Sequence, residues 1–253
     1  MRSRCRVWLL AATLIVAIGV VLPGQALAKE FFVDDVSVDA VVQPDGAMQV
    51  SETRQMRFDG DYSRVFWVLD KGGSQGIEVI GVSDSAGTVY KRIDDPSGIE
   101  DRTKRVPGTM YVTDTGNAVE VHVFHDAADS SRAFRLDYVV KGAATRWADT
   151  SELYWKLLGS GWEVPTARFR SKIVLPGPLT KEQVKAWAHG PLNGVVAIGD
   201  DGTVTLDVTD VPPQTFVEVH VAFPAESLSM ASPSTESRLQ KILDEEAGFA
   251  NES

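Results

Sequence analysis

The chain holds one cysteine and four histidines in 253 residues, and each shortage removes a class of function. Cys5 lies ahead of the apolar run at the amino terminus, so the chain beyond that run has no thiol chemistry and no disulfide, and the position after the expected cleavage point is not a lipoprotein cysteine. His122 and His125 stand three apart on a strand and point to opposite faces, which denies them a shared metal. His220 lies opposite Val217, Val219, Val221 and Phe223 and is expected to face solvent, while His189 precedes Gly190-Pro191 at a turn. No metal is expected.

Other catalytic signatures are also missing. No Gly-x-Ser-x-Gly elbow occurs, and no Ser-x-x-Lys sits at a helix start. The acidic pairs Asp59/Asp61, Asp94/Asp95 and Asp200/Asp201 lack the ligand spacing of a calcium loop and read as turns. No catalytic residue and no cofactor are therefore assigned. Removing Arg2, Arg4 and Arg6 from the 25 basic residues leaves 22 against 35 acidic ones, a net charge of −13, which speaks against nucleic acid or anionic lipid as a partner.

Three arginines, the apolar run Val7 to Leu22, and Ala26-Leu27-Ala28 make residues 1–28 a secretory signal with cleavage expected after Ala28. The run is longer than the usual ~7–15 residues, so retention as an amino-terminal anchor is the alternative. No later segment approaches a membrane span. With 43% hydrophobic and 24% charged residues, the rest has the composition of a globular domain able to bury its own core.

From Phe31 the pattern has period two. Val36, Val38, Ala40 and Val42 share a face, Pro44-Asp45-Gly46 makes a turn, and Met48 to Phe58 returns as the second strand of a hairpin. Asp94 to Gly108 is the longest loop. Met110 to Thr113, Ala118 to Phe124 and Ala133 to Val140 form an antiparallel meander, and Thr180 to His189 reads as a turn and then a strand. Turns recurring every ~8–12 residues give the fold class: all-β, an antiparallel β-sandwich of about ten or more short strands over residues 29–225. Residues 226–253 read as a linker and an amphipathic helix outside the β-domain, with Leu239, Ile242, Leu243 and Ala247 at helical spacing.

The densest aromatic stretch is Glu152 to Pro165. Trp147, Tyr154 and Trp162 with Asp149, Glu152 and Glu163 are the candidate ligand-binding residues, either a stacking platform for an envelope glycan or a carboxylate cluster for glycan processing. The competing reading, and the favoured one, places Leu153, Trp155 and Leu157 in the core and leaves only a polar rim that includes Lys156.

Along its length the sequence resembles the amino-terminal extracytoplasmic domain of a family of predicted bacterial membrane proteins, domain of unknown function 2207. The likeness rests on Pro44-Asp45-Gly46, Val50-Ser51-Glu52-Thr53, Phe58, Arg64 and Leu136-Asp137-Tyr138-Val139-Val140-Lys141-Gly142. It continues through Glu152-Leu153-Tyr154-Trp155-Lys156, Gly161-Trp162, Val164-Pro165, Leu175-Pro176 and Val219 to Pro224. The resemblance implies a signal, an outward-facing β-domain and then transmembrane helices; it carries over no catalytic residue. Glu52 and Arg64 read either as a buried ion pair or, more commonly, as exposed charges. The sequence stops at Ser253 ahead of any membrane span, so a truncated chain and a soluble relative both fit.

The expected protein is thus a non-enzymatic β-domain, secreted or at the outer face of the cytoplasmic membrane, that binds or positions a protein or envelope partner. A glycan-binding module or glycan-processing enzyme is the alternative, and a domain that only shields a membrane portion is a third reading.

Overall fold

The computed structural model describes residues 29–252; the expected signal peptide, residues 1–28, lies outside the described residues. In chain order the strands are β1 (Glu30–Val42), β2 (Met48–Asp61), β3 (Arg64–Asp70), β4 (Gly76–Asp84) and β5 (Lys91–Ile93). After a short helix, α1 (Ser97–Glu100), come β6 (Thr109–Asp114), β7 (Ala118–Phe124), β8 (Ala128–Lys141), β9 (Ala144–Arg146) and β10 (Ser151–Leu158). The rest are β11 (Thr166–Val174), β12 (Lys185–His189), β13 (Val195–Ile198), β14 (Val204–Val211), β15 (Val217–Phe223) and the closing helix α2 (Leu239–Glu252). No described helix is long and apolar enough to cross a membrane.

The all-β sandwich expected from the turn spacing is present. A seven-stranded sheet runs in the order β13-β14-β11-β1-β2-β8-β4, and two four-stranded sheets run β12-β15-β10-β9 and β3-β7-β6-β5. Buried residues of all three sheets form one core, among them Val38, Val121 and Val219. On β1 the alternating row Val36, Val38, Ala40 and Val42 is buried, as its period requires.

The β1–β2 turn shows why its residues are needed. Gly46 has φ +85°, and a Cβ there would lie 2.5 Å from the Ala144 carbonyl oxygen. Gly46 O in turn accepts from Ala144 N at 2.9 Å, so this turn is packed against the start of β9.

Two features depart from the period-two reading. β1 pairs with β11 in parallel, from Val33↔Thr166 to Val41↔Val174, and β5 pairs with β6 in parallel, among otherwise antiparallel pairs. The expected meander also breaks. β6 and β7 do pair, but β8 leaves them and runs between β2 and β4 in the seven-stranded sheet. Alternation identifies a strand without naming its neighbour, and the 14-residue β8 matches the length of the 14-residue β2.

Thr180 to His189 is a turn and a strand, in line with its sequence: a 3-10 turn at Lys181–Gln183 with a Thr180/Gln183 capping box leads into β12. The long loop at 94–108 contains α1 and a second 3-10 turn. It is held by Arg105 Nε on Gly98 O (2.7 Å) and Arg64 Nη1 on Ile99 O (2.8 Å).

Candidate functional site

Strand β10 lies inside its sheet, between β15 and β9. Leu153, Trp155 and Leu157 point into the core, as the core reading of this stretch required. Glu152, Tyr154 and Lys156 take the other face. Across the ladder Tyr154 pairs with His220, and on the far side of β15 Trp187 pairs with His220 and His189 with Glu218. Cross-strand neighbours on one face therefore bring Glu152, Tyr154, His220 and His189 together.

Part of that face does not meet solvent, because α2 and the residue before it lie over Glu152, His220 and His189. The expectation that His220 is solvent-facing is corrected: it is 1% exposed. It does alternate with the apolar residues of β15, but the second face of the sheet is covered too. On α2, Ile242 and Glu246 are buried, so the stripe that meets the sheet carries a carboxylate, and Ala247 is exposed.

The charged groups of the two surfaces pair with one another. His220 Nε2 lies 2.9 Å from Glu152 Oε1 and His220 Nδ1 lies 2.5 Å from Glu246 Oε1. His189 Nε2 is 3.1 Å from the same Glu246 oxygen. Trp147 Nε1 donates to Glu152 Oε2 at 2.8 Å. Arg238, just before α2, donates from Nη2 to Glu152 Oε1 and from Nη1 and Nη2 to both Glu245 oxygens at 2.9–3.0 Å. Asp149 Oδ1 accepts from the backbone N of Arg238 (2.8 Å) and so caps the first turn of the helix from another part of the chain. Tyr154 stacks on His220 with ring centroids 4.4 Å apart and remains 41% exposed.

Electrostatics mirrors this geometry. Burial alone would raise the Glu152 carboxyl, but hydrogen bonds from His220, Arg238 and Trp147 overcome it and hold the group at about 2. Burial would likewise lower His220, and its bonds to Glu152 and Glu246 outweigh that and raise it. Arg238 is raised by its bonds to Glu152 and Glu245.

Trp162 and Glu163 are elsewhere. They line a cleft of about 260 Å³ with Phe31, Tyr62, Phe66 and Arg54. The Arg54 guanidinium sits 4.1 Å from the Trp162 ring centre, and Phe31 packs edge-on against Trp162 at 6.4 Å. Arg54 Nε is tightly bonded to Glu52 Oε1, which also accepts from Trp67 Nε1 at 2.8 Å. Arg54 Nη1 is buried without a hydrogen-bond partner among the described residues.

The six residues singled out from sequence thus fall into two places: Trp147, Asp149, Glu152 and Tyr154 at the helix junction, Trp162 and Glu163 in the cleft. The reading of Glu52 and Arg64 is also corrected. Glu52 is 2% exposed and pairs with Arg54, while Arg64 reaches the Ile99 carbonyl. Sequence reasoning missed Arg54, His220, Arg238 and Glu246. Arg54 had a signal: with Glu52 it sits in the same alternating row as Met48, Val50, Met56 and Phe58, all buried.

No curated protein matches the chain. Among solved structures it is similar to an M1 zinc metallopeptidase from Deinococcus radiodurans at 15% identity and TM-score 0.41, covering 75% of this chain and 42% of that one. A putative protease from Parabacteroides distasonis ATCC 8503 gives 13% identity and TM-score 0.40 over 77% of this chain and 40% of that one. The leukotriene A4 hydrolase of Saccharomyces cerevisiae gives 11% identity and TM-score 0.48 over 76% and 29%. The chain spans less than half the length of each, and likenesses this weak bring no activity with them. Residues 32–223 match the family described as "Predicted membrane protein (DUF2207) N-terminal domain", and the chain belongs to that family.

Proposed function

We propose that this chain is a non-enzymatic, extracytoplasmic β-domain of a membrane protein, and that it holds an envelope protein partner in the cleft beside Trp162. The observation that supports this reading is the aromatic cleft itself, in whose wall the Arg54 guanidinium stacks 4.1 Å from the Trp162 ring centre. A cleft walled by aromatic rings suits a partner segment that inserts an apolar side chain. Phe66 and Val68, 41% and 47% exposed, supply apolar contact at the mouth. At the junction both ring nitrogens of His220 are bonded to carboxylates and the residue is 1% exposed, which leaves a substrate no nitrogen to reach.

The test is crosslinking capture from envelope extracts with the wild type, Trp162→Ala and Phe66→Ser, each checked for a cooperative melt. A protein retained by the wild type and lost by both variants supports the reading. Equal retention by all three, or none by any, sinks it. Peptidoglycan fragments in the same format address the glycan alternative, for which Trp147 and Trp162 would have to act from separate places.

A further inference from the structure

The geometry points to a metal site: a zinc-class dication held by His189 Nε2, His220 Nδ1 and Glu246 Oε1, clamping α2 to the sheet. The three ligand atoms come from β12, β15 and α2 and lie within 4.8 Å of one another. Zinc bonds of about 2.0–2.2 Å set tetrahedral ligand atoms about 3.3 Å apart. Glu246 Oε1 stands 2.5 Å from His220 Nδ1 and 3.1 Å from His189 Nε2, so small side-chain adjustments bring all three to one ion. Two imidazoles and a carboxylate are a donor set suited to zinc.

The surroundings are those of a metal ligand shell. A metal-bound histidine characteristically gives its other ring N–H to a carboxylate, which fixes the ring. His220 Nε2 faces Glu152 Oε1 at 2.9 Å, and Glu152 is itself held by Arg238 and Trp147. An ion on Nδ1 leaves that arrangement intact and replaces one proton.

Charge supports the same conclusion. Arg238 pairs with Glu152 and Glu245, while the buried carboxylate of Glu246 pairs with His220 and His189 and with no arginine or lysine among the described residues. Glu246 therefore needs a positive charge between it and the imidazoles, in a place where His220 is 1% and Glu246 4% exposed. A dication on two neutral histidines supplies that charge, as protonated imidazoles would in the ion-free junction. Access is provided because His189 also lines an open cavity of about 430 Å³ with Pro191, Val217 and Phe249.

The competing account is a hydrogen-bonded ionic junction with no ion. Titration of the tag-free, chelator-stripped full chain with Zn²⁺ separates the two. The expected result is one ion per chain and a melting temperature raised by about 5–10 °C at a hundredfold excess over Kd. Co²⁺ should give visible ligand-field absorption in the wild type. His189 is half-buried with a single ion contact, so His189→Gln is the variant least harmful to folding. It should cut Zn²⁺ affinity at least tenfold and remove the Co²⁺ band, and Glu152→Gln should weaken binding 10–100-fold. No binding heat with an unchanged melt overturns the site, as does Zn²⁺ binding that His189→Gln leaves intact.

Discussion

Glu246 Oε1 lies 2.5 Å from His220 Nδ1, joining a buried carboxylate of α2 to a buried histidine of β15. Through this contact, and through Arg238 on Glu152, the closing helix covers His220 and Glu152 on the outer face of the β12-β15-β10-β9 sheet. The helix has 14 residues, a length at which isolated helices are marginal in water, so its order depends on that sheet.

Ile242, fully buried on α2, gives the first check on this dependence. Ile242→Ala should weaken docking by about 2–4 kcal/mol. Native-state hydrogen exchange should show α2 amides losing protection while those of β2 and β8 keep theirs. Uniform loss across all three would mean the helix is part of the global unfolding unit instead.

Asp149 accepts from the Arg238 and Leu239 backbone N–H groups, at 2.8 and 3.4 Å. Asp149→Ala removes this cap from a distance and should cost about 0.5–2 kcal/mol, whereas Asp149→Asn should retain most of it. Urea melts of the two variants measure the difference. Equal losses would show that charge near the helix end, and not the acceptor oxygen, is what matters.

The Glu52–Arg54 pair is buried beneath Trp67 and Trp162. Arg54→Leu leaves Glu52 with Trp67 Nε1 as its remaining partner here and should destabilise by about 3–5 kcal/mol. The double variant Glu52→Leu/Arg54→Leu should recover much of that loss, because no unpaired charge stays behind. A double-mutant cycle in urea reads the coupling, and additive losses would contradict it.

His125 should make stability pH-dependent. Burial, with Arg132 nearby, depresses its pKa from 6.5 to about 4, against the opposing charges of Asp126 and Asp84. The ring is neutral in the fold, with Nδ1 accepting from Ala127 N at 3.1 Å and Nε2 lacking a partner among the described residues. Between pH 6.5 and 4 the unfolded chain binds a proton that the folded chain does not. The contribution is therefore complete above 6.5, falls as the pH drops, and levels off below about 4, a total of about 3 kcal/mol. His125→Phe, although it orphans the Ala127 N–H, should flatten this part of the profile measured by urea melts at a series of pH values. An unchanged slope would assign it to other groups.

Much of the fold could be read from local pattern. β1, the Pro44-Asp45-Gly46 turn, the core positions of β10 and the strand after Thr180 all come from period-two alternation and turn chemistry, which are properties of a few neighbouring residues. The crossing of β8 into the large sheet and the parallel β1–β11 pair could not, because pairing depends on distant segments whose alternation fits several neighbours equally well.

The candidate site divides along the same line. Sequence alone established that the Glu152 to Pro165 stretch is core in one register and polar in the other, and that it belongs with a recognisable set of motifs. Tertiary structure decided what the polar register meets. His220 is buried because α2 lies over a face that alternation marks only as the other side, and Arg54 meets Trp162 because β2 and the chain after β10 converge on one cleft. Period two sorts side chains between two faces of a sheet; whether the second face carries water, a helix or a partner is fixed by chain far away in sequence.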